Sequence, residues 1–422
     1  MGEPENPSLN PEIGKKEQVT EEKNQELSDL KDDAGEYYDV QNEEDVDENV
    51  EVAENHSDLN VALKAMMDQN FIEYASYVIK DRAIPDVDDG LKPVQRRILW
   101  AMWEKDTGSF DKVANIIGNT MHYHPHGDAS IGDALVNLAN KDYFIDKQGN
   151  FGHIMTGAPA AAPRYIEARL TPLAKAVLFN REITRLIDSY DARHQEPVVL
   201  PSKLPTLLLQ GTDGIAVGTN TKIMQHNFNE VLQAQISYLK GESFVLYPDF
   251  QQGGIMDVSK YEDGLGKLTV RAKLEVEGRN IKIREIPPVT DTKKLMDSIE
   301  SAINKNKIKI ASCHDYTAGQ VEIELVPIRG YQAEKALKAL YTYTNCQMGI
   351  TCNPMVILNN RPVRMSVSEI LKRNTDQLVQ YLTWELQLSA IRALEKILLR
   401  TLVQIFKNIL SRVHFMLLPT VR

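Results

Sequence analysis

The sequence predicts a multidomain α+β protein, and three patterns in its 422 residues carry that prediction. Two segments of helical apolar spacing flank a tight turn, His122-Tyr-His-Pro-His-Gly-Asp, which is the outline of a helix-turn-helix. Between Lys267 and Ile286 the apolar positions alternate as in a β-hairpin, and segments of helical and strand pattern follow it. From Ser366 to about Leu410 the spacing is helical without a break, which at about 1.5 Å per residue would reach more than ~60 Å.

Composition narrows the function classes. No run of eighteen apolar residues exists and the N-terminus has no apolar signal region, so neither a membrane helix nor export by a signal peptide is expected. The three cysteines, Cys313, Cys346 and Cys352, fit no metal spacing and suit a reducing compartment, with Cys346 and Cys352 buried and not bridged. The net charge of −11 is unevenly placed. Residues 1–57 hold 19 acidic and four basic residues, leaving 40 acidic and 44 basic for the rest, a body of +4. Those first 57 residues lack apolar periodicity and are expected to be a disordered acidic tail, either solubilising or a polyanion that competes for a basic groove.

The elements follow in order. Leu63, Met67, Phe71, Tyr74 and Val78 fall at helical spacing, so 59–81 is expected to be a long amphipathic helix. Pro85 and Gly90 break it, and Pro93 suits the first position of a helix over 93–104 that carries Ile98, Leu99, Met102 and Trp103 inward. Lys92, Gln95, Arg96 and Arg97 cluster at its start, an arrangement for phosphates at a helix N-terminus or a plain solvated face. Ser109 is placed to cap a helix over 110–121, with Val113, Ile116 and Ile117 inward. After the histidine turn, a helix from Asp128 to about Asn140 buries Ile131, Leu135 and Leu138 and opens on small polar residues able to enter a groove. His122, His124 and His126 have no fourth ligand at a matching spacing, so hydrogen bonding to phosphate oxygens is the better account than metal.

The stretch Gly157-Ala-Pro-Ala-Ala-Ala-Pro-Arg-Tyr-Ile-Glu-Ala-Arg-Leu is thin and cannot be helix interior, because Pro159 and Pro163 fix φ and remove donors. Ile166, Leu170, Leu173, Ala174 and Val177 then read as a helix, with Arg164-Tyr165 at the joint. A phenol beside an always-charged guanidinium suits attack on a phosphodiester, the phenol as nucleophile and the guanidinium opposite the developing charge.

Leu207–Val217 reads as a buried strand interrupted by Gly211 and Gly214, and a helix over about 227–240 closes the region. Lys267–Ile286 reads as one hairpin turning at Glu277-Gly278-Arg279-Asn280. Helices near 292–306 and 331–344, with strands near 308–312 and 320–326, complete an α+β domain. Arg271, Lys273, Lys282 and Arg284 on its outer face either track a phosphate backbone or are solvated. The long helix after Ser366 is expected to be a packed arm.

Arg82-Ala-Ile-Pro-Asp-Val-Asp-Asp-Gly-Leu-Lys-Pro-Val-Gln-Arg-Arg, Tyr123-His-Pro-His-Gly-Asp, Gln148-Gly-Asn-Phe-Gly, Ala162-Pro-Arg-Tyr-Ile-Glu-Ala-Arg-Leu and Gly214-Ile-Ala-Val-Gly occur in one order over about residues 60–400. With them the sequence resembles the breakage-reunion (A) subunit of bacterial type IIA DNA topoisomerases, the family that includes the A subunits of gyrase and of topoisomerase IV. The resemblance implies that Tyr165 attacks the DNA backbone and becomes linked to a 5′-phosphate, that Arg164 stabilises the transition state, and that Arg82 sits beside the cleavage centre. Lys92, His124 and His126 match positions that contact DNA, and Ile223 matches an apolar wedge between base pairs, with Met224-Gln225 where two prolines are usual. Ala129 stands where a serine is common and Asp133 retains the acid one turn on; the family holds fluoroquinolones through that pair, so weak drug binding is expected.

After the acidic tail (1–57) read from composition, the resemblance implies a winged-helix-like DNA-cleavage domain (58–200), an α/β tower domain (201–365) and the start of a coiled-coil arm (366–422). Double-stranded DNA is the implied substrate, and Mg²⁺ and ATP are implied on a B-type partner. Two copies of this chain are implied in an A2B2 assembly in the cytoplasm, at the nucleoid. Little sequence follows the long helix, so a topoisomerase IV-like relaxing and decatenating enzyme is expected, without DNA wrapping in the gyrase manner. The alternative from another class is a non-catalytic DNA-binding paralogue without a stable dimer.

Overall fold

A computed structural model describes residues 55–417. The chain divides into a unit Met1–Met66, of which the start of one helix is described, and a unit Met67–Arg422. The predicted acidic tail lies outside the described residues except for its last three, which open helix α1 (Asn55–Val78). The expected inward face of α1 is not buried: Met67, Phe71 and Tyr74 are 62%, 60% and 55% exposed. Only its end is covered, where Val78 joins Ala83, Ile84 and Ile357 in a small core. A π-helical turn, Ile79–Ala83, ends α1, and Ile84 before Pro85 is extended, as a residue preceding proline prefers.

The first large core lies between Leu91 and Leu200. Helix α2 (Pro93–Glu104) begins with Pro93 at its first position, and the Lys92 amide donates to Gln95 Oε1 at 3.0 Å. Ile98, Leu99 and Met102 go inward as expected, and Trp103 stacks on Phe179 with ring centroids 5.3 Å apart. Asp111–Lys112 forms a short strand, β1, so helix α3 (Val113–Thr120) starts later than predicted and Ser109 does not cap it. Helix α4 (Asp128–Ala139) lies where the helix-turn-helix pattern put it and buries Ile131, Leu135 and Leu138.

The predicted helix from Ile166 is instead two elements. Strand β2 is Ile145–Gln148; β3 (Glu167–Leu170) runs antiparallel between β1 and β2, and helix α5 is Pro172–Val177. Ile166 and Leu170 are four apart, a spacing that fits a helix turn and also two steps of a strand; Ala168 between them is buried, which makes it strand. Pro172 then opens α5, and Thr171 caps it by accepting from the Ala174 amide at 3.0 Å. A short pair follows in the chain, β4 (Leu186–Asp188) with β5 (Gln195–Pro197).

Residues 207–217 are likewise not one strand. Thr206–Gln210 is a buried helical turn, α6, and Thr212–Ile215 (β6) pairs with Asn220–Ile223 (β7) in a hairpin. Helix α7 (Phe228–Leu239) is capped by Asn227. The predicted long hairpin divides at Ala272. Strand β8 (Ile255–Asp257) and β14 (Gln347–Thr351) flank β9 (Lys267–Arg271) in one sheet. Strand β10 (Lys273–Glu277) hairpins with β11 (Asn280–Glu285) in another. The Ala272 amide donates to Cys346 O at 2.7 Å, and this hands the chain from one sheet to the other. The second sheet has the order β10-β11-β13-β12, with β12 at Ile310–Asp315 and β13 at Ile323–Pro327. Helices α8 (Thr292–Asn304) and α9 (Ala333–Tyr343) bury Leu295, Ile299, Ala336 and Leu340 in its core.

The outer cations of these two sheets are not free for a phosphate backbone. Arg284 pairs with Glu275, Glu277 and Glu322, Lys282 with Glu277 and Glu322, and Lys273 with Glu285, while Arg271 donates to Gln347. Strands β15 (Met355–Leu358) and β16 (Arg361–Arg364) precede helix α10 (Val367–Leu417). Helix α10 buries Ile370, Leu371 and Tyr381, but Leu382, Ile391, Leu394 and Leu398 are exposed, so the apolar packing of the arm stops near Tyr381, while Glu385 still pairs with Lys203 and Arg392 with Glu182. Cys346 and Cys352 are buried and all three cysteines are free. Among the described residues no helix is long and apolar enough to cross a membrane.

Candidate active site

Tyr165 is 65% exposed, and the guanidinium of Arg164 lies over its ring, 4.7 Å from the centroid. The backbone explains the projection. Pro163 O accepts from the Ala114 amide at 3.2 Å and Ile166 O from the Val113 amide at 3.0 Å, so the start of α3 grips both sides of the pair. Ile166 is buried, leaving Arg164 and Tyr165 as the two residues pushed outward between fixed points.

The upstream part of the loop is held as well. Ala161 N donates to Asn150 O at 2.9 Å, and a tight turn closes through Gly157 N to His153 O at 2.9 Å. Gly157 has φ +71°, and a Cβ there would lie 2.8 Å from Asp291 Cγ. Asp291 caps α8, and the Thr292 amide donates to Met155 O at 2.8 Å. The loop that carries Arg164–Tyr165 is therefore tied both to the helix-turn-helix and to the first turn of α8.

A second cluster is built around the histidine turn. His124 is buried, and its Nδ1 faces Arg97 Nη1 at 3.1 Å. A guanidinium only donates, so Nδ1 is the acceptor and the neutral ring carries its proton on Nε2. Burial, then the Arg97 charge, with His126 and Arg82 adding to it, push the His124 pKa down to about 4. His126 packs edge-on to His124, with ring centroids 4.8 Å apart, and is hydrogen-bonded to the Tyr77 hydroxyl. The turn thus sets the neutral ring of His124 and the imidazole of His126 near the uncommitted guanidinium of Arg82, which makes no hydrogen bond or ion pair among the described residues.

Two residues expected to reach phosphates do not. Arg96 is buried and ion-paired with Asp89 at 2.5 Å, donating also to Leu91 O; Asp89 in turn accepts from the Leu200 amide. Arg97 is bidentate on Glu196, at 2.5 and 3.0 Å, and spends a further donor on His124. A helix position facing the core explains both: α2 turns Arg96 and Arg97 toward the body, where buried carboxylates satisfy them. The sequence pattern of charges does not distinguish these from Lys92, which faces a cleft.

That cleft, of about 710 Å³, is lined by Arg82 and Lys92, by Asp133 and Lys141 at the end of the α4 region, and by Gln210 and the β6–β7 hairpin. Lys92 Nζ donates to Asp213 O at 2.6 Å; burial lowers its pKa and the Asp213 charge opposes that. Asp213 is paired with Lys222 at 2.8 Å. Among the described residues no three His, Cys, Asp or Glu side chains converge as metal ligands.

The wedge position is corrected by burial. Ile223 is 3% exposed and belongs to the core with Leu207, Leu208 and Val356, so it is not available to enter a base step. Ile215, across the same hairpin and at its outer end, is 84% exposed. A signal for it is present in the sequence: Gly214-Ile-Ala-Val-Gly puts an isoleucine just before a hairpin end, whereas Ile223 leads into the buried run Ile223-Met224. Ala129 and Asp133 are both exposed, one helical turn apart on α4.

The model of the DNA gyrase/topoisomerase IV A-subunit family matches residues 82–417. The chain is 52% identical over 345 residues to the A subunit of DNA topoisomerase 4 from Borreliella burgdorferi, covering 82% of this chain and 55% of that protein. It is 40% identical to the A subunit of DNA gyrase from Dehalogenimonas lykanthroporepellens, over 72% of this chain and 41% of the relative. For the A subunit of DNA topoisomerase 4 from Bacillus subtilis the identity is 37%, over 74% and 42%. The chain spans about half the length of the relatives it matches. On its fold, its motifs and these matches, the chain belongs to the DNA gyrase/topoisomerase IV A-subunit family.

Proposed function

We propose that this chain is the DNA-cleaving subunit of a type IIA topoisomerase of the topoisomerase IV kind. The observation that carries the reading is the outward pair Arg164–Tyr165, fixed at Pro163 and Ile166, whose side chains have no competing partner among the described residues beyond their own cation–π contact. Tyr165 Oη attacks a backbone phosphorus. The O–P bond to tyrosine forms as the bond from phosphorus to the 3′-oxygen breaks; the phenolic proton is lost, and the departing oxygen takes one up as a 3′-hydroxyl. The product is a 5′-phosphotyrosine, and the reverse attack reseals the strand. Arg164, always charged, offsets the charge that builds on the non-bridging oxygens. Arg82 and the Nε2–H of His124 supply further donors for the backbone.

One nucleophilic tyrosine per chain and two strands per duplex call for two copies. We propose that they stand in an A2B2 assembly with a B-type subunit that binds ATP and Mg²⁺. When bound, the divalent ion would supply Lewis-acid stabilisation of phosphate oxygens. Relaxation and decatenation are the proposed activities, in the cytoplasm at the nucleoid. The finer architecture is proposed with them: a winged-helix cleavage domain over 58–200 around α3 and α4, a tower domain over 201–365, and a coiled-coil arm from 366. The apolar residue offered to a base step is Ile215.

The test is to mix the chain with a B-type partner, Mg²⁺, ATP and supercoiled plasmid. Relaxed product and detergent-trapped breaks are expected, and both vanish in Tyr165→Phe. Tight DNA binding without any break would favour the non-catalytic paralogue.

A further inference from the structure

The cleft beside Lys92 holds donors that none of the described residues uses. Gln210 is 3% exposed, and its side-chain Nε2 has no hydrogen-bond partner. An unmade hydrogen bond of this kind is uncommon in a folded interior and points to a missing acceptor. Lys141 lines the same cleft, with an ammonium that makes no hydrogen bond or ion pair among the described residues. Burial alone lowers its pKa. The cleft's carboxylates do not pair with it: Asp213 is taken by Lys222, and Asp133, which also lines the cleft, makes no ion pair with Lys141 among the described residues. Arg82, Lys92, Lys141 and Lys222 against Asp133 and Asp213 leave the lining at a formal +2.

We propose that Lys141 and the Gln210 amide form a phosphate site at the floor of this cleft, which seats a backbone phosphate of the bound duplex. The inference rests on the reading of the chain as a DNA-binding subunit, and adds to it two residues that the sequence motifs do not mark. Lys141 supplies charge and Gln210 a neutral, buried donor, so the two make different contributions. The charged contact displaces a condensed counterion and is weakened by salt; the amide contact is not. The cleft is shared with the β6–β7 hairpin, whose outer end carries Ile215, so a phosphate held here would fix the backbone next to the proposed wedge.

The experiment is the affinity of the full chain for a short duplex, measured across a series of KCl concentrations. It uses wild type, Lys141→Gln, Lys141→Arg and Gln210→Met. Lys141→Gln is expected to make the slope of log K against log salt shallower by about 0.9, the value for one B-DNA phosphate contact. Lys141→Arg restores the slope. Gln210→Met weakens binding about tenfold at every salt concentration and leaves the slope alone. Thermal unfolding checks that each variant folds, and the lysine pair decides the matter if Gln210→Met does not. A wild-type slope in Lys141→Gln, with binding intact, overturns the site alone; a wild type that binds no duplex overturns the DNA-binding reading with it. Inorganic phosphate that binds through Lys141 without displacing the duplex would assign the site to free phosphate and overturn the backbone assignment.

Discussion

Truncating Ile215 and Ile223 to alanine should give opposite results, because one hairpin carries one residue out and the other in. Ile215 is 84% exposed, so Ile215→Ala removes almost no folded-state packing and should move stability by no more than about 0.5 kcal/mol. Ile223 is 3% exposed among Leu207, Leu208 and Val356, so Ile223→Ala leaves a cavity and should cost about 2–5 kcal/mol. On DNA the order reverses. An isoleucine side chain fully buried between base pairs contributes about 1.5–3 kcal/mol, which offsets part of an unstacking cost of a few kcal/mol. At about 1.4 kcal/mol per tenfold, Ile215→Ala should weaken capture of the bent duplex by roughly 10–150-fold. The assays are urea unfolding for stability and energy transfer between duplex ends for bending. Bending equal to wild type in Ile215→Ala would refute the wedge. Undiminished stability in Ile223→Ala would refute its place in the core.

Other expectations are equally specific. Gly157→Ala forces a side chain into a φ of +71° against Asp291, so it should lose about 1–3 kcal/mol of stability. Plasmid cleavage should fall with it; a variant as stable and active as wild type would show that the turn is not held by α8. The His124 ring, held at about pKa 4 by burial and Arg97, should stay neutral from pH 8 down to about 5. Ring NMR of Arg97→Ala should show that titration moved upward, since a cation that opposes protonation is gone; an unmoved titration would contradict the hydrogen-bond assignment. Ala129→Ser restores a hydroxyl one turn before Asp133 and should strengthen fluoroquinolone-stabilised cleavage by roughly 2–13-fold, the range of one hydrogen bond. No increase would sink that idea.

Much of the chain was legible because local pattern and tertiary demand agreed. Pro93 opens α2, the helix-turn-helix spacing gives α3 and α4, and the pattern over about 227–240 gives α7. The failures share a cause. Ile166 and Leu170 satisfy both a helix and a strand period, and only pairing with Ile145–Gln148 and Asp111–Lys112 decides between them. Leu207–Leu209 is apolar all round, so its buried helical turn could not be told from a strand by pattern. Motif order singled out Arg164–Tyr165, Arg82, Lys92, His124 and His126 as candidates, but it gave no direction for side chains. Arg96 and Arg97 look like phosphate ligands until Asp89 and Glu196, the latter far along the sequence, are seen to occupy them. Lys141 and Gln210 carry no motif, and their interest comes from donors left without partners among the described residues.

In the proposed reaction Tyr165 becomes covalently joined to a 5′ DNA end. The direct measurement is peptide mapping of the detergent-trapped complex formed on a duplex labelled separately at each end. A nucleotide-bearing peptide that contains Tyr165 is predicted, with protein on the 5′ side of the break and a free 3′-hydroxyl opposite. Linkage to another tyrosine, or to the 3′ side, would contradict it.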